Sequence, residues 1–582
     1  MREPLPTGCS LTGSEAYEFL SRALPVLEAA DIGVLVPAWW QRARVRPALR
    51  LEVGKQQRGS SGMFGLDAVV SYDWKVALGS DELTHEELER LAALKEPLVR
   101  VRGQWVELHV EDVTATLRFL REHANGMTLA DALRVSLTGE MDGGAVRVEE
   151  VRTDGWIGDL LGRLRGGDTI TDVPQPEALR GTLRPYQLRG LSWLDFLAHY
   201  GLGACLADDM GLGKTAQLLS LVLHEKSAGT LTHPVLIVCP TSVVGNWEHE
   251  AARFAPDLRV LVHHGAGRLG RARAEDFASE VAGHDLVITT YSLLPRDAET
   301  LATAQWGAVV LDEAQNIKNA ETKQSRAARR LRAPVRVALT GTPVENRLSE
   351  LWSILDFLNP GYLGPHSRFS QQFTYAIEKQ RDPEATARLQ TLVRPFILRR
   401  LKTDPTVISD LPEKIEMREY CPLTREQVTL YEAVVRDGLR RLDAVDGMER
   451  RGVILAMLTR LKQVCNHPAH LLGDGSALRG RSGKLERLEE LIEELLAEGD
   501  RALIFTQFTA MGDRLAPYLR ERFGVDALYL HGSVPRGERV RMIERFQSPE
   551  GPPLFLLSLK AGGTGLNLTN ANHVIHFDRW WN

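Results

Sequence analysis

No apolar run of about 18 residues occurs in this 582-residue chain, so no helical membrane span is expected. Cysteine is scarce: Cys9, Cys205, Cys239, Cys421 and Cys465 are scattered, with no C-x-x-C pair. That spacing excludes a disulfide-stapled secreted scaffold and fits a reducing compartment, so a cytoplasmic location is expected. The first residues lack a charged start followed by an apolar core, and no secretory leader is expected. Neither sign of charge dominates. Lys and Arg total 71 against 76 Asp and Glu, a formal net charge of -5. Because a local basic channel is enough to bind nucleic acid, this balance argues neither for nor against such a partner. Low-complexity segments and short repeats are also missing. The chain is too long for one core, so three or four domains are expected.

Three zones are legible. Residues 1–175 mix a helical pattern, Glu86–Leu94, with strand-like alternation in Pro97–Arg102, and carry no chemical motif. A stretch rich in Gly, Pro and Asp, Leu164–Pro176, reads as a linker. From 176 to 360, short apolar runs (Pro234–Cys239, Asp285–Thr289, Ala308–Leu311, Val335–Leu339) alternate with helical segments, which implies βαβ units and a parallel sheet. A mainly helical stretch rich in Arg and Leu, 361–478, follows. The βαβ rhythm returns over 479–582 in Ala502–Phe505, Ala527–Leu530, Pro553–Leu557 and His573–Phe577. The fold class expected is therefore α/β, two parallel-sheet lobes with helical insertions, preceded by an α+β accessory region.

The stretch Asp208-Asp-Met-Gly-Leu-Gly-Lys-Thr215 lies between an apolar run, Gly203–Ala207, and a helical pattern, Ala216–Leu223. A Gly-Lys-Thr at a strand-to-helix turn cradles phosphate. Backbone N–H groups and the helix N-terminus face the anion, Lys214 reaches the terminal phosphates, and Thr215 can hold Mg²⁺. The usual G-x-x-x-x-G-K-[ST] form is not met, because Asp208 occupies the first Gly position. Downstream, Val309-Val-Leu-Asp-Glu-Ala-Gln315 is a buried strand ending in two acids. In triphosphatases the first such acid holds Mg²⁺ and the second polarises the attacking water. The two stretches together supply both ends of an Mg²⁺–triphosphate site.

An ordered series of motifs resembles the Swi/Snf-type branch of the superfamily-two helicases. Leu183–Gln187 resembles the Q motif and Asp208–Thr215 the Snf variant of motif I. Cys239–Val243 with Trp247 resembles motif Ia, Ile288–Tyr291 motif Ib, Asp312–Gln315 motif II in its D-E-A-Q form, and Leu339–Pro343 with Glu345-Asn346 motif III. Arg394–Lys402 and Leu411–Lys414 resemble the connector between lobes, Ile504–Phe508 motif IV, Ser558–Asn567 motif V, and Ile575–Asn582 the segment after it. The resemblance implies two RecA-like lobes and an ATP-driven translocase on double-stranded DNA that does not separate strands. Its cofactors would be ATP and Mg²⁺. Arg184, Gln187, Asp209, Met210, Gly211, Leu212, Gly213, Lys214, Thr215, Gln315 and Gly565 would line the ATP site, with Gln187 on adenine. Thr215 and Asp312 would hold Mg²⁺, and Lys214, Asp312 and Glu313 would be catalytic. Thr340, Gly341 and Thr342 would couple ATP state to DNA. Thr241, Ser242, Thr290, Thr506, Ser558, Lys560 and Trp581 would face the duplex, largely through phosphates.

Other readings stay open from sequence. Trp580 and Trp581 fit core packing as well as a DNA groove, and the arginines of 388–402 fit a solvated helix face as well as a DNA-facing edge. Cys465, His467 and His470 fall short of a zinc set, which needs four ligands at set spacings. Family members continue past the position of Asn582 into a motif whose arginines reach ATP, so weak hydrolysis is expected of residues 1–582 alone. Partners other than DNA would be DNA-bound proteins or RNA polymerase. The alternatives to a translocase are an RNA-polymerase-recycling ATPase and a nucleotide-regulated DNA-binding scaffold.

Overall fold

The computed structural model describes residues 8–36, 40, 47–53, 66, 69–70, 72–78, 81–94, 96–101, 104–107, 110–122, 127–141, 146–153, 156–164, 170–265, 268, 274–341, 347–408, 415–443, 446–562, 566 and 568–579. The chain divides into two compact units: residues 1–239 with 250–408, and residues 240–249 with 409–582.

In the first unit, seven parallel strands form one sheet. Its spatial order is Val260–Val262, Leu286–Thr290, Val235–Cys239, Ala308–Asp312, Val335–Leu339, Ala204–Leu206 and Ile397–Leu398. The runs Val235–Cys239 and Leu286–Thr290 are buried at every position, the pattern of strands covered by helices on both faces. Two strands escaped the sequence reading. Val260–Val262 has only three residues, and Ile397–Leu398 lies inside the stretch expected to be helical. This sheet thus reaches beyond position 360.

The accessory region carries a five-stranded mixed sheet in the order Asp81–Leu83, Tyr72–Leu78, Pro47–Val53, Val146–Thr153, Glu140–Met141. It is fastened to the larger sheet domain. Helix Leu129–Thr138 packs on helix Pro383–Val393, and Trp156 stacks on Tyr200 with ring centroids 6.1 Å apart.

The second unit holds a four-stranded parallel sheet in the order Ala527–Leu530, Leu554–Ser558, Ala502–Thr506, His573–His576. One face is filled by Leu488, Ile492, Leu495, Met511, Leu515 and Leu519. The other is filled by Leu530, Phe546, Phe555 and Leu557. Helices Arg425–Leu442 and Gly447–Asn466 pack on each other ahead of this sheet. They approach closely at Gly438, where a Cβ would stand 2.3 Å from Met457 Sδ.

Candidate nucleotide site

In a parallel sheet all strands end at one edge, and ligands bind outside the carboxyl ends. In the first unit that edge collects Asp208–Lys214 after Ala204–Leu206, Asp312 and Glu313 at the end of Ala308–Asp312, and Thr340 after Val335–Leu339. The expected phosphate loop is present. Gly211 and Gly213 have φ of +83° and +76°, the left-handed region that only glycine adopts freely, and helix Lys214–Ser227 begins directly after Gly213. Its first N–H groups are open to an anion.

Lys214 Nζ donates to the carbonyl oxygens of Asp208 at 2.6 Å and Asp209 at 3.4 Å. Burial holds its pKa below the usual ammonium value, against the raising effect of Glu313, Asp208, Asp312 and Asp209. These four carboxylates act on the amine electrostatically, so motif I and motif II lie at the same sheet edge. Thr215 and Asp312 are oxygen donors of the kind Mg²⁺ takes, so the residues expected to hold the ion fit it chemically.

Glu313 sits in the left-handed region at φ +51°, uncommon for a non-glycine residue and frequent at functional turns. Its N–H donates to Asp312 Oδ1 at 2.9 Å. Gln315 Nε2 donates to Glu313 Oε2 at 2.7 Å, and Thr340 Oγ1 donates to Gln315 Oε1 at 2.9 Å. A hydrogen-bonded path therefore runs from Thr340 through Gln315 to the acid expected to polarise water. Gly341 follows Thr340 and is partly exposed, while Thr342 lies outside the described residues.

Gln187 is placed under the loop. Its Oε1 accepts from Arg184 N at 2.8 Å, and its Nε2 donates to Leu212 O at 3.2 Å. Arg184 is exposed beside it, and Met210 is 53% exposed at the loop tip. Leu212 is fully buried. The sequence reading missed Tyr186, Gln217 and Arg400. Tyr186 Oη donates to Leu212 O at 3.2 Å, and Gln217 Nε2 to Gly213 O at 3.3 Å. Arg400 is buried against Asp208, a third setting beside the two weighed for the 388–402 arginines. The acid at the first Gly position was the available signal, since a buried carboxylate calls for a cation.

The residues expected at DNA divide by exposure. Thr241 and Ser242 are exposed on a 3₁₀ turn after Val235–Cys239. The side chains of Thr290, Thr506 and Ser558 are buried. Thr290 Oγ1 lies 3.0 Å from Ser292 Oγ, and Thr506 Oγ1 donates to Asp578 Oδ2 at 2.7 Å. Lys560 is the second residue of a short helix, Leu559–Gly562. Gly565 and Trp581 lie outside the described residues.

Asp578 gathers the carboxyl edge of the second sheet. Besides Thr506 it accepts from Asn466 Nδ2 at 2.8 Å and from Gln507 N at 2.6 Å. His467, weighed above as a zinc ligand, instead caps helix Pro468–Leu472: its Nδ1 accepts from Ala469 N at 3.0 Å. Nearby His470 is buried, has no hydrogen-bond partner on either ring nitrogen, and meets Phe508 edge-on at 4.8 Å. Burial pushes its pKa down to about 4, outweighing the pull of Asp578. Its ordinary value is about 6.5, so the unfolded chain takes up this proton first as pH falls. Stability should be intact above about pH 6.5 and fall by roughly 3 kcal/mol as pH drops toward 4. In a pH series of thermal unfolding, His470→Phe should flatten that stretch. An unchanged slope would show that other groups set it.

Comparison with known proteins fits this geometry. The SNF2-related domain family matches residues 186–470, and the helicase conserved C-terminal domain matches residues 483–582. The chain belongs to the Snf2-type family of helicase-like ATPases. A further family, described as SNF2 helicase protein, matches residues 4–137 in the accessory region. Among relatives, a Bacillus subtilis putative ATP-dependent helicase/translocase, YwqA, is 43% identical over 98% of this chain and 63% of its own length. The Arabidopsis thaliana ATP-dependent DNA helicase DDM1 is 36% identical over 69% of this chain and 56% of its own. A solved Sulfolobus solfataricus SWI2/SNF2 ATPase core in complex with dsDNA is 43% identical, covers 71% of this chain and 85% of that one, and superposes with a TM-score of 0.41. The chain thus spans about three fifths of the length of these two curated relatives.

Proposed function

We propose that this chain is an ATPase motor that moves along duplex DNA. The observation that carries the proposal is the assembly at one sheet edge of Lys214, Asp312 and Glu313 with the Thr340–Gln315–Glu313 path. ATP phosphates enter the cradle of Gly211–Thr215. Lys214 then exchanges two loop carbonyls for phosphate oxygens, a gain because ammonium–phosphate hydrogen bonds are charge-assisted on both sides. Thr215 and Asp312 would hold Mg²⁺, which would neutralise charge on the phosphates. Glu313 orients and deprotonates water. Thr340 passes a shift of its strand end to Glu313 through Gln315.

Duplex DNA is the polymer that family membership favours, and the exposure of Thr241 and Ser242 supports contact with its phosphates. The test is steady-state ATP hydrolysis with and without duplex DNA, paired with release of a third strand from a triplex. Turnover should rise with duplex. Lys214→Ala should abolish turnover and strand release while DNA is still bound. Hydrolysis indifferent to DNA would refute the motor, and DNA binding governed by nucleotide without turnover would mark a scaffold instead.

A further inference from the structure

The two-residue strand Ile397–Leu398 pairs in parallel with Ala204–Leu206, the strand that feeds the phosphate loop. The pairing continues past both strands. Ala207 N donates to Leu398 O at 2.7 Å and Asp209 N to Arg400 O at 3.1 Å. Arg400 N and Nε then donate to Asp208 Oδ1 at 3.1 and 2.9 Å, while its Nη2 bonds Asp208 Oδ2. The same Nη2 donates to Gln217 Oε1 at 2.7 Å, and Nη1 donates to Tyr186 O. The guanidinium also lies over the Tyr186 ring, 5.1 Å from its centroid. Asp208 is fully buried and Arg400 is 9% exposed. Two residues on, Lys402 N donates to Asp209 Oδ2 at 3.0 Å, and its Nζ lies 2.8 Å from where a Cβ on Gly211 would stand.

One stretch, 397–402, is therefore hydrogen-bonded to residues 207, 208 and 209 and comes close to Gly211. Tyr186 and Gln217, which Arg400 holds, in turn bond the carbonyls of Leu212 and Gly213. A planar guanidinium with donors in a fixed fork suits this bidentate, buried role, and an ammonium would not fill it.

We propose that Arg400 is a positioning residue of the nucleotide site. Through Asp208 it fixes the backbone from which Lys214 works, and it ties the state of the loop to the segment that leads on into the second unit after Ile408. Asp208 stands where other phosphate loops have glycine because it is the anchor for this arginine. A nucleotide that draws Lys214 off the carbonyls of Asp208 and Asp209 acts directly on the residues that grip 400 and 402.

This inference rests on the nucleotide reading of the loop, and the experiment separates the two. Binding of N-methylanthraniloyl-ATP with Mg²⁺ is titrated on the whole chain. Alongside it, limited trypsin cleavage after Lys402 is timed with and without ATP·Mg²⁺. Wild-type chain should bind, and nucleotide should change the cleavage rate. Asp208→Asn, Asp208→Gly and Arg400→Gln should each weaken binding about tenfold or more, since each strands a buried charged or polar group. The double variant Asp208→Asn/Arg400→Gln should cost about as much as either single one, because one coupling is lost. Arg400→Lys should not rescue. At ATP·Mg²⁺ concentrations that saturate each variant, cleavage after Lys402 should be indifferent to nucleotide in all of them, which separates lost coupling from lost binding. No binding by wild type would defeat the nucleotide reading itself. Binding by wild type with unchanged affinity in the variants, or wild-type cleavage indifferent to nucleotide, would overturn the role of Arg400. The wild-type cleavage result decides even if a variant fails to fold.

Discussion

Glu313→Gln is expected to lower DNA-stimulated ATP turnover by about 10³-fold while nucleotide affinity stays within a few fold. The substitution keeps size and shape, so the φ +51° turn and the contact with Gln315 can persist with the amide rotated. What disappears is the carboxylate that takes a proton from water. Phosphate release at saturating ATP reports the first quantity, and titration of a fluorescent ATP analogue the second. Turnover within tenfold of wild type would remove Glu313 from the base role. A parallel loss of affinity would mean that it acts on binding. Thr340→Val offers a graded companion, because it cuts the same path one hydrogen bond further away and leaves the acid in place.

Asp578→Ala is expected to be the most damaging single change in the second unit. Its carboxylate accepts from Asn466, Thr506 and Gln507, and the residue is 5% exposed. Lys484 lies beside it, bonded to Asn466 Oδ1 at 2.9 Å and over the Phe577 ring at 5.5 Å. Burial holds the Lys484 pKa below the usual ammonium value, and Asp578 is the foremost group opposing that shift. Removing the acid strands several buried donors, each worth roughly 1–3 kcal/mol. A loss of about 3–5 kcal/mol should lower the unfolding midpoint of this unit by roughly 6–20 °C, read by calorimetry. Asp578→Asn keeps one acceptor and should lose less. A shift of under about 2 °C for Asp578→Ala would show that water replaces the carboxylate at little cost.

The α/β rhythm was legible because parallel strands buried on both faces are nearly unbroken apolar runs. Val235–Cys239, Leu286–Thr290, Ala308–Asp312 and Leu554–Ser558 all lie where their sequences indicate. The phosphate loop and the acid pair were legible because their chemistry is local, a few residues at fixed spacing. What escaped was non-local. Arg400 meets Asp208 across 192 positions, and its strand of two residues has no periodicity to detect. Thr506 was read for its motif, yet its hydroxyl is turned inward by Asp578, a partner 72 positions away. Hydroxyl side chains at strand ends look alike in sequence whether they face solvent or a buried acid. Gln187 shows the same limit, since a helix-capping amide and a ligand-reading amide are one residue type.

The seventh strand also dictates where the first sheet can be severed. A fragment ending at 360, where the apolar rhythm of the sequence pauses, would leave Ala204–Leu206 as a bare edge and Asp208 buried without its counter-ion. Unpaired strand edges recruit other chains, so such a fragment should self-associate. A fragment carried on to 408 keeps the edge covered and the carboxylate matched. The natural seam of this protein therefore falls some fifty residues later than hydropathy alone would cut it.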